Sequence, residues 1–120
     1  PREGILRLLA KGISLDAVVC YNDQIAMQII PALASRGIRV PEDISVTGYD
    51  NSCVAMGDGF HLTTIVHPQE KLGEMAAQLL LSLLRGETLQ PEQSKILIQP
   101  ELVVGNSCCG IFTSKYTTCQ

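Results

Sequence analysis

The sequence predicts an α/β domain built on a parallel sheet flanked by helices. Three observations carry this expectation. Asp16 to Tyr21 is a short, continuous apolar run rich in β-branched residues, the pattern of a parallel strand covered on both faces. Ala26, Ile29, Ile30 and Leu33 then recur at helical spacing, which makes one apolar helix face. Ile44 to Tyr49 returns to strand composition. Strand, helix and strand form one right-handed crossover unit, so two parallel strands should end side by side at Asn22 and Asp50.

The remaining elements follow from local signals. Ile5, Leu8 and Leu9 give a first helix over Arg2 to Ala10, and Gly12 sits where a helix terminator belongs. Asn22 and Asp23 suit the cap of the second helix. Its end at Arg36-Gly37 allows Ile38 to fold back onto Leu33, and Pro31 inside it predicts a kink. Pro41 keeps the following connection out of helix. Asp50 to His61 reads as a polar, glycine-bearing loop, and Leu62 to Val66 as a strand. His67-Pro68 opens a strong helix with an apolar stripe through Leu72, Met75, Ala76, Leu79, Leu80 and Leu83, closed by Arg85-Gly86. Lys95 to Gln99 and Glu101 to Val104 read as two extended segments broken by Pro100. Cys108 to Gln120 has no periodicity and reads as a loose tail.

Composition narrows the function. The 120 residues are 46% hydrophobic and 18% charged, the balance of one globular core. A net charge of −3 opposes a domain that neutralises nucleic-acid phosphates. No apolar run is long enough for a membrane span and no secretory signal opens the chain, so the reading is cytoplasmic with no membrane partner. The five cysteines, Cys20, Cys53, Cys108, Cys109 and Cys119, are odd in number and lack paired metal spacing, so reduced thiols are expected. Cys20 reads as a small core hydrophobe. Because Pro1 stands in place of a start methionine and leads straight into helix, the chain reads as a fragment.

Ligands of open parallel sheets bind beyond the carboxyl ends of the strands. Asn22 follows the first strand and Asp50 the second. A carboxylate accepts hydroxyl hydrogens and an amide both donates and accepts, a combination suited to a neutral polyhydroxylated ligand. Two roles stay open at each position: Asn22 and Asp23 serve as helix cap or as ligand contact, and Asp50 as ligand contact or as the start of a turn with Asn51. His67 is a candidate hydroxyl donor or only a cap for the helix that Pro68 starts. Tyr21 and Tyr49 end strands, where a ring can pack against a sugar face or against the protein. His61 reads as a loop residue. No phosphate loop, nucleophile elbow or triad is present, so no catalytic residue, cofactor or metal site is expected and the chain is not read as an enzyme. A phosphoacceptor role for Asp50 would need an acidic pair on another strand end, and only Asp23 is there.

Several linked motifs resemble the lactose/galactose repressor family. They are Asp16-Ala-Val-Val-Cys-Tyr-Asn-Asp-Gln-Ile-Ala26, Gly37-Ile-Arg-Val-Pro-Glu-Asp-Ile-Ser-Val-Thr-Gly-Tyr-Asp50, Leu62-Thr-Thr-Ile65 and Leu72-Gly73. The resemblance runs in order from about Arg2 to Ser107. The Tyr21-Asn-Asp-Gln-Ile-Ala26 segment and His67-Pro68 look most like the arabinose repressors. The resemblance implies a periplasmic-binding-protein-like (type I) fold of two lobes holding a sugar effector between them, with dimers formed along the sensor. It assigns residues 1–107 mostly to the carboxy-terminal lobe, and the helix at 68–86 to the amino-terminal lobe. It places Asn22, Asp50 and His67 at effector-facing positions. DNA would be bound by a separate amino-terminal head. Pro31 and the 108–120 tail depart from the family pattern. The rival expectation is a fragment of a periplasmic sugar carrier, which shares the lobes.

Overall fold

The computed structural model describes residues 1–52, 57, 59–88 and 95–110. Contacts divide the chain into two units, one of Pro1–Val66 with Glu101–Gln120 and one of His67–Pro100.

The first unit begins with α1 (Arg2–Ala10), β1 (Ala17–Val19), α2 (Asp23–Ala34) and β2 (Ser45–Thr47), and also holds β3 (Thr64–Val66) and β4 (Glu101–Val103). β1 and β2 pair in parallel with Val18 opposite Val46, as the crossover reading requires. Thr47 then bridges in parallel to Thr63, while β3 pairs antiparallel with β4, Ile65 facing Leu102. The sequence-predicted α/β architecture with a parallel pair at its heart is therefore present.

α2 starts where the sequence places it. Asn22 has extended backbone geometry and its side-chain oxygen accepts from Ile25 N–H, satisfying one of the amides that a helix start leaves unpaired. At the far end Gly37 takes φ +74° and Ile38 N–H donates to Leu33 O at 3.2 Å, the six-to-one bond of a glycine stop. α2 continues as one helix through Pro31.

The core lies between α1, α2 and one face of the sheet. Ile5, Ala26, Ile29, Ile30, Leu33, Ile44 and Val46 are buried together with Cys20, and Val18 packs against them. Alternation along β1 sends Val18 and Cys20 inward and Val19 and Tyr21 to the other side. That other side corrects one expectation: Val19 is 84% and Tyr21 85% exposed, so β1 is covered on one face rather than two among the described residues. In the connection before β2, the Arg39 guanidinium grips Asp43 through Nε and Nη2 at 2.9 and 2.8 Å. This holds the Asp43 carboxyl down at about 2.

Residues 106–109 fasten the sheet. Ser107 is fully buried. Its hydroxyl donates to Val46 O at 2.6 Å and accepts from Thr63 N–H at 2.8 Å. Cys108 Sγ reaches Val46 O, and Cys109 N–H donates to Ser45 Oγ. The two cysteines read from sequence as tail are thus tied to β2. Residues 111–120, and with them Cys119, lie outside the described residues, as does Cys53.

The second unit holds α3 (Gln69–Leu84). Pro68 stands at its cap position and no side-chain cap bond forms, so His67 is not the cap. No residue of α3 is buried, and Leu80, Leu81, Leu83 and Leu84 are all more than half exposed. The extended segment expected over Lys95 to Gln99 forms no strand. Leu97 is 84% exposed, and an apolar run with no partner strand has nothing to supply its ladder bonds. Past Pro100, Glu101–Val103 pairs with β3.

Replacing Ser107 by alanine strands the buried Thr63 N–H. The expected cost is about 1–3 kcal/mol of stability, read as a lowered denaturation midpoint; an unchanged midpoint contradicts the fastening role.

Candidate functional site

Three strand ends converge at one edge of the first unit. Cys20 N–H donates to Thr47 O at 2.9 Å, Asp23 N–H to Tyr49 O at 3.0 Å, Gly48 N–H to Thr63 O at 2.9 Å and Asp50 N–H to Ile65 O at 3.0 Å. These bonds extend the ladder past the strands and set Asn22 and Asp50 on neighbouring chain segments. Both residues thus sit just beyond the carboxyl ends of a parallel strand pair, the region where open parallel sheets take their ligands.

The two open roles for Asn22 turn out to be compatible. Its Oδ1 caps α2 at 3.0 Å from Ile25 N, and its Nδ2 hydrogens donate to no described residue. An amide has both a donor and an acceptor end, so one side chain can cap with its oxygen and offer its nitrogen to a ligand. Asp50 is half-buried, and among the described residues neither carboxylate oxygen is engaged in a hydrogen bond or ion pair. Its φ of +94°, followed by +49° at Asn51, is the left-handed region that costs a non-glycine residue of order 1–3 kcal/mol.

The sequence left Asp23 as cap or contact; the structure makes it a buried carboxylate. Asp23 is 1% and Thr64 2% exposed. Thr64 Oγ1 donates to Asp23 Oδ1 at 2.6 Å, and Ser52 N–H donates to Asp23 Oδ2 at 2.8 Å. Asn51 N–H in turn donates to Thr64 Oγ1 at 3.3 Å. A buried charge persists only when hydrogen-bonded, and none of the described buried side-chain polar atoms lacks a partner. The signal for this pair was present in Thr63-Thr64, a polar pair inside a strand-like stretch. Gly48 is a second signal: a Cβ there would run into Asp23 Oδ1 and stand 2.7 Å from Leu62 Cδ2. Cys20, next to the site, has its thiol pushed up by burial and then by the Asp23 charge, which makes it inert as a nucleophile.

Tyr21 is brought to the sheet face opposite the core rather than into the polar cluster. With Val19, Thr47, Tyr49, Ile65 and Leu102 it lines a cavity of about 210 Å³. His67 belongs to the second unit and Gln69 N–H donates to its carbonyl at 2.7 Å. His61 is a loop residue, as read: its N–H and C=O both pair with Asn106, at 2.7 and 2.8 Å. Among the described residues no group of three metal-ligating side chains comes together.

Residues 4–108 match the periplasmic binding protein-like domain. The chain belongs to that family. The chain is 40% identical over 94 residues to the arabinose metabolism transcriptional repressor of Halalkalibacterium halodurans, covering 75% of this chain and 25% of that protein. Among solved structures it is similar to the transcriptional regulator CelR in complex with cellobiose, with TM-score 0.76 and 32% identity over 88% of this chain and 32% of the other. It is similar also to the lac repressor dimer bound to operator and the anti-inducer ONPF, with TM-score 0.73 and 30% identity over 90% and 37%. The resemblance to the lactose/galactose repressor family, and its arabinose-repressor look, are borne out by these relatives. The chain spans about a quarter of the length of the curated relatives it matches. No helix among the described residues is long and apolar enough to cross a membrane.

Gly48→Ala is expected to displace the Asp23 carboxylate from its partners and to cost about 1–3 kcal/mol, the range for overpacking. Chemical denaturation reads this, and a variant as stable as the parent would show that the close approach is not maintained.

Proposed function

We propose that this chain forms one wall of the effector-binding domain of a sugar-responsive transcriptional repressor. The observation that carries the reading is the pair of polar groups at the strand ends that no other described residue engages, the Asn22 amide nitrogen and the Asp50 carboxylate. A carboxylate and an amide donor held by backbone bonds match the alternating donors and acceptors of a sugar and place no net demand for charge on it. Relatives named for arabinose metabolism and a neighbour seen with cellobiose support the ligand class. They give no support to the periplasmic carrier reading, since each is a regulator.

Within this reading, residues 1–107 are the carboxy-terminal portion of the effector-binding domain, and the helix at 68–86 is given to the amino-terminal lobe. The latter is supported by α3 burying no residue of its own. His67, at the start of that unit, is assigned a hydroxyl-donating role, and Tyr21 an aromatic contact at the rim. DNA is engaged only through a separate amino-terminal domain, the protein works as a cytoplasmic homodimer, and it catalyses no reaction. Sugar shifts the equilibrium between two lobe arrangements by binding one of them better.

Isothermal titration of the intact protein with L-arabinose, cellobiose and lactose tests this. One sugar is expected to bind, and Asp50→Ala to weaken it by about 1–3 kcal/mol, the value of a hydrogen bond to a charged acceptor. Full affinity in the Asp50 variant, or no binding across the panel, contradicts the assignment.

A further inference from the structure

We infer that Asp23 is a positioning residue for the sugar-contacting Asp50, acting through the Thr64 hydroxyl and the Ser52 amide; this rests on the effector-site reading above. Asp23 touches no proposed ligand position. It is buried at 1% exposure beneath the turn that carries Asp50, and it reaches that turn by two routes. One oxygen accepts Ser52 N–H at 2.8 Å. The other accepts the Thr64 hydroxyl at 2.6 Å.

The second route depends on the sign of the group. An ionised carboxylate accepts hydrogen bonds and cannot donate, so the Thr64 hydroxyl must spend its single hydrogen on Asp23. Its oxygen then has only lone pairs to show, and one of them receives Asn51 N–H at 3.3 Å. Asp50 N–H is meanwhile held by Ile65 O at 3.0 Å. Three consecutive amides, of Asp50, Asn51 and Ser52, are therefore fixed, and two of these depend on Asp23. They span the two non-glycine residues with left-handed backbone, φ +94° and +49°. Such backbone persists only where its surroundings over-determine it. With the Asp23 acceptor gone, the turn is free to relax to negative φ, which rotates the Asp50 carboxylate away from the place where the strand end presents it.

An amide at position 23 offers one acceptor where the carboxylate offers two: turned one way it sets a donor against Ser52 N–H, turned the other it takes away the acceptor that orients the Thr64 hydroxyl hydrogen. Asp23→Asn and Thr64→Val should each lower sugar affinity at least about tenfold, the size of one hydrogen bond to a charged group. Thr64→Ser, which keeps the hydroxyl, should restore it. The experiment measures titrations of the intact protein with L-arabinose, cellobiose and lactose, together with amide hydrogen exchange without ligand. The expected result is faster exchange at Asn51 and Ser52 in both variants, with Val46 in the core still protected and Thr64→Ser like the parent. A purely structural role would speed Val46 equally, and would overturn the inference. So would parental affinity and parental exchange at Asn51 in Thr64→Val, a variant that remains informative if Asp23→Asn fails to fold. If Asp50→Ala weakens binding and Thr64→Val does not, the inference falls and the site reading stands. If Asp50→Ala has no effect while Thr64→Val loosens the turn, the site reading falls instead.

Discussion

A carboxylate that has been taken out of water must have its lone pairs filled, and at Asp23 that requirement ties together three parts of the chain. The residue opens α2, receives a hydroxyl from β3 and an amide from the turn after β2, and donates its own amide to Tyr49 O. Leaving a buried acceptor of this kind unmade costs more than an ordinary hydrogen bond returns. The strand ends are therefore held at fixed separation, and Gly48 has no side chain because the carboxylate occupies that space. The parallel pairing of β1 with β2 brings Asn22 and Asp50 to the same edge; the Asp23 cluster fixes the backbone on which Asp50 stands.

This division of labour explains the chemistry available at the edge. Asn22 spends its oxygen on α2 while its nitrogen donates to none of the described residues, so a single residue both starts the helix and retains a donor. Among the described residues Asp50 keeps both oxygens unengaged. The result is a small polar surface of one donor and one acceptor group, positioned by backbone bonds rather than by flexible side-chain packing. It suits hydroxyls, which can answer either kind of group. It is also half a site in the proposed two-lobed arrangement, where a second wall would add its own contacts.

Much of the fold was legible in the sequence because its signals were local. The apolar stripe of α2, its Asn22 cap and its Gly37 stop lie within a few residues of what they govern, and the right-handed crossover rule then brings β1 beside β2. What was not legible depends on distant partners. Asp23 and Thr64 are 41 positions apart, and a residue just inside a helix start reads as a cap until its partner is known. Ser107 likewise sits in a stretch with no periodicity, yet it fastens Val46 and Thr63. Lys95 to Gln99 failed in the opposite sense: its composition suits a strand, but a strand exists only where another strand pairs with it.

The effector-site account is tested most directly by a crystal structure of the intact protein with bound sugar. The account predicts a ligand hydroxyl within about 2.5–3.0 Å of an Asp50 carboxylate oxygen, the range for O–H···O bonds, with the Asn22 nitrogen donating to the same molecule. A sugar bound elsewhere, with Asp50 facing water, would contradict it.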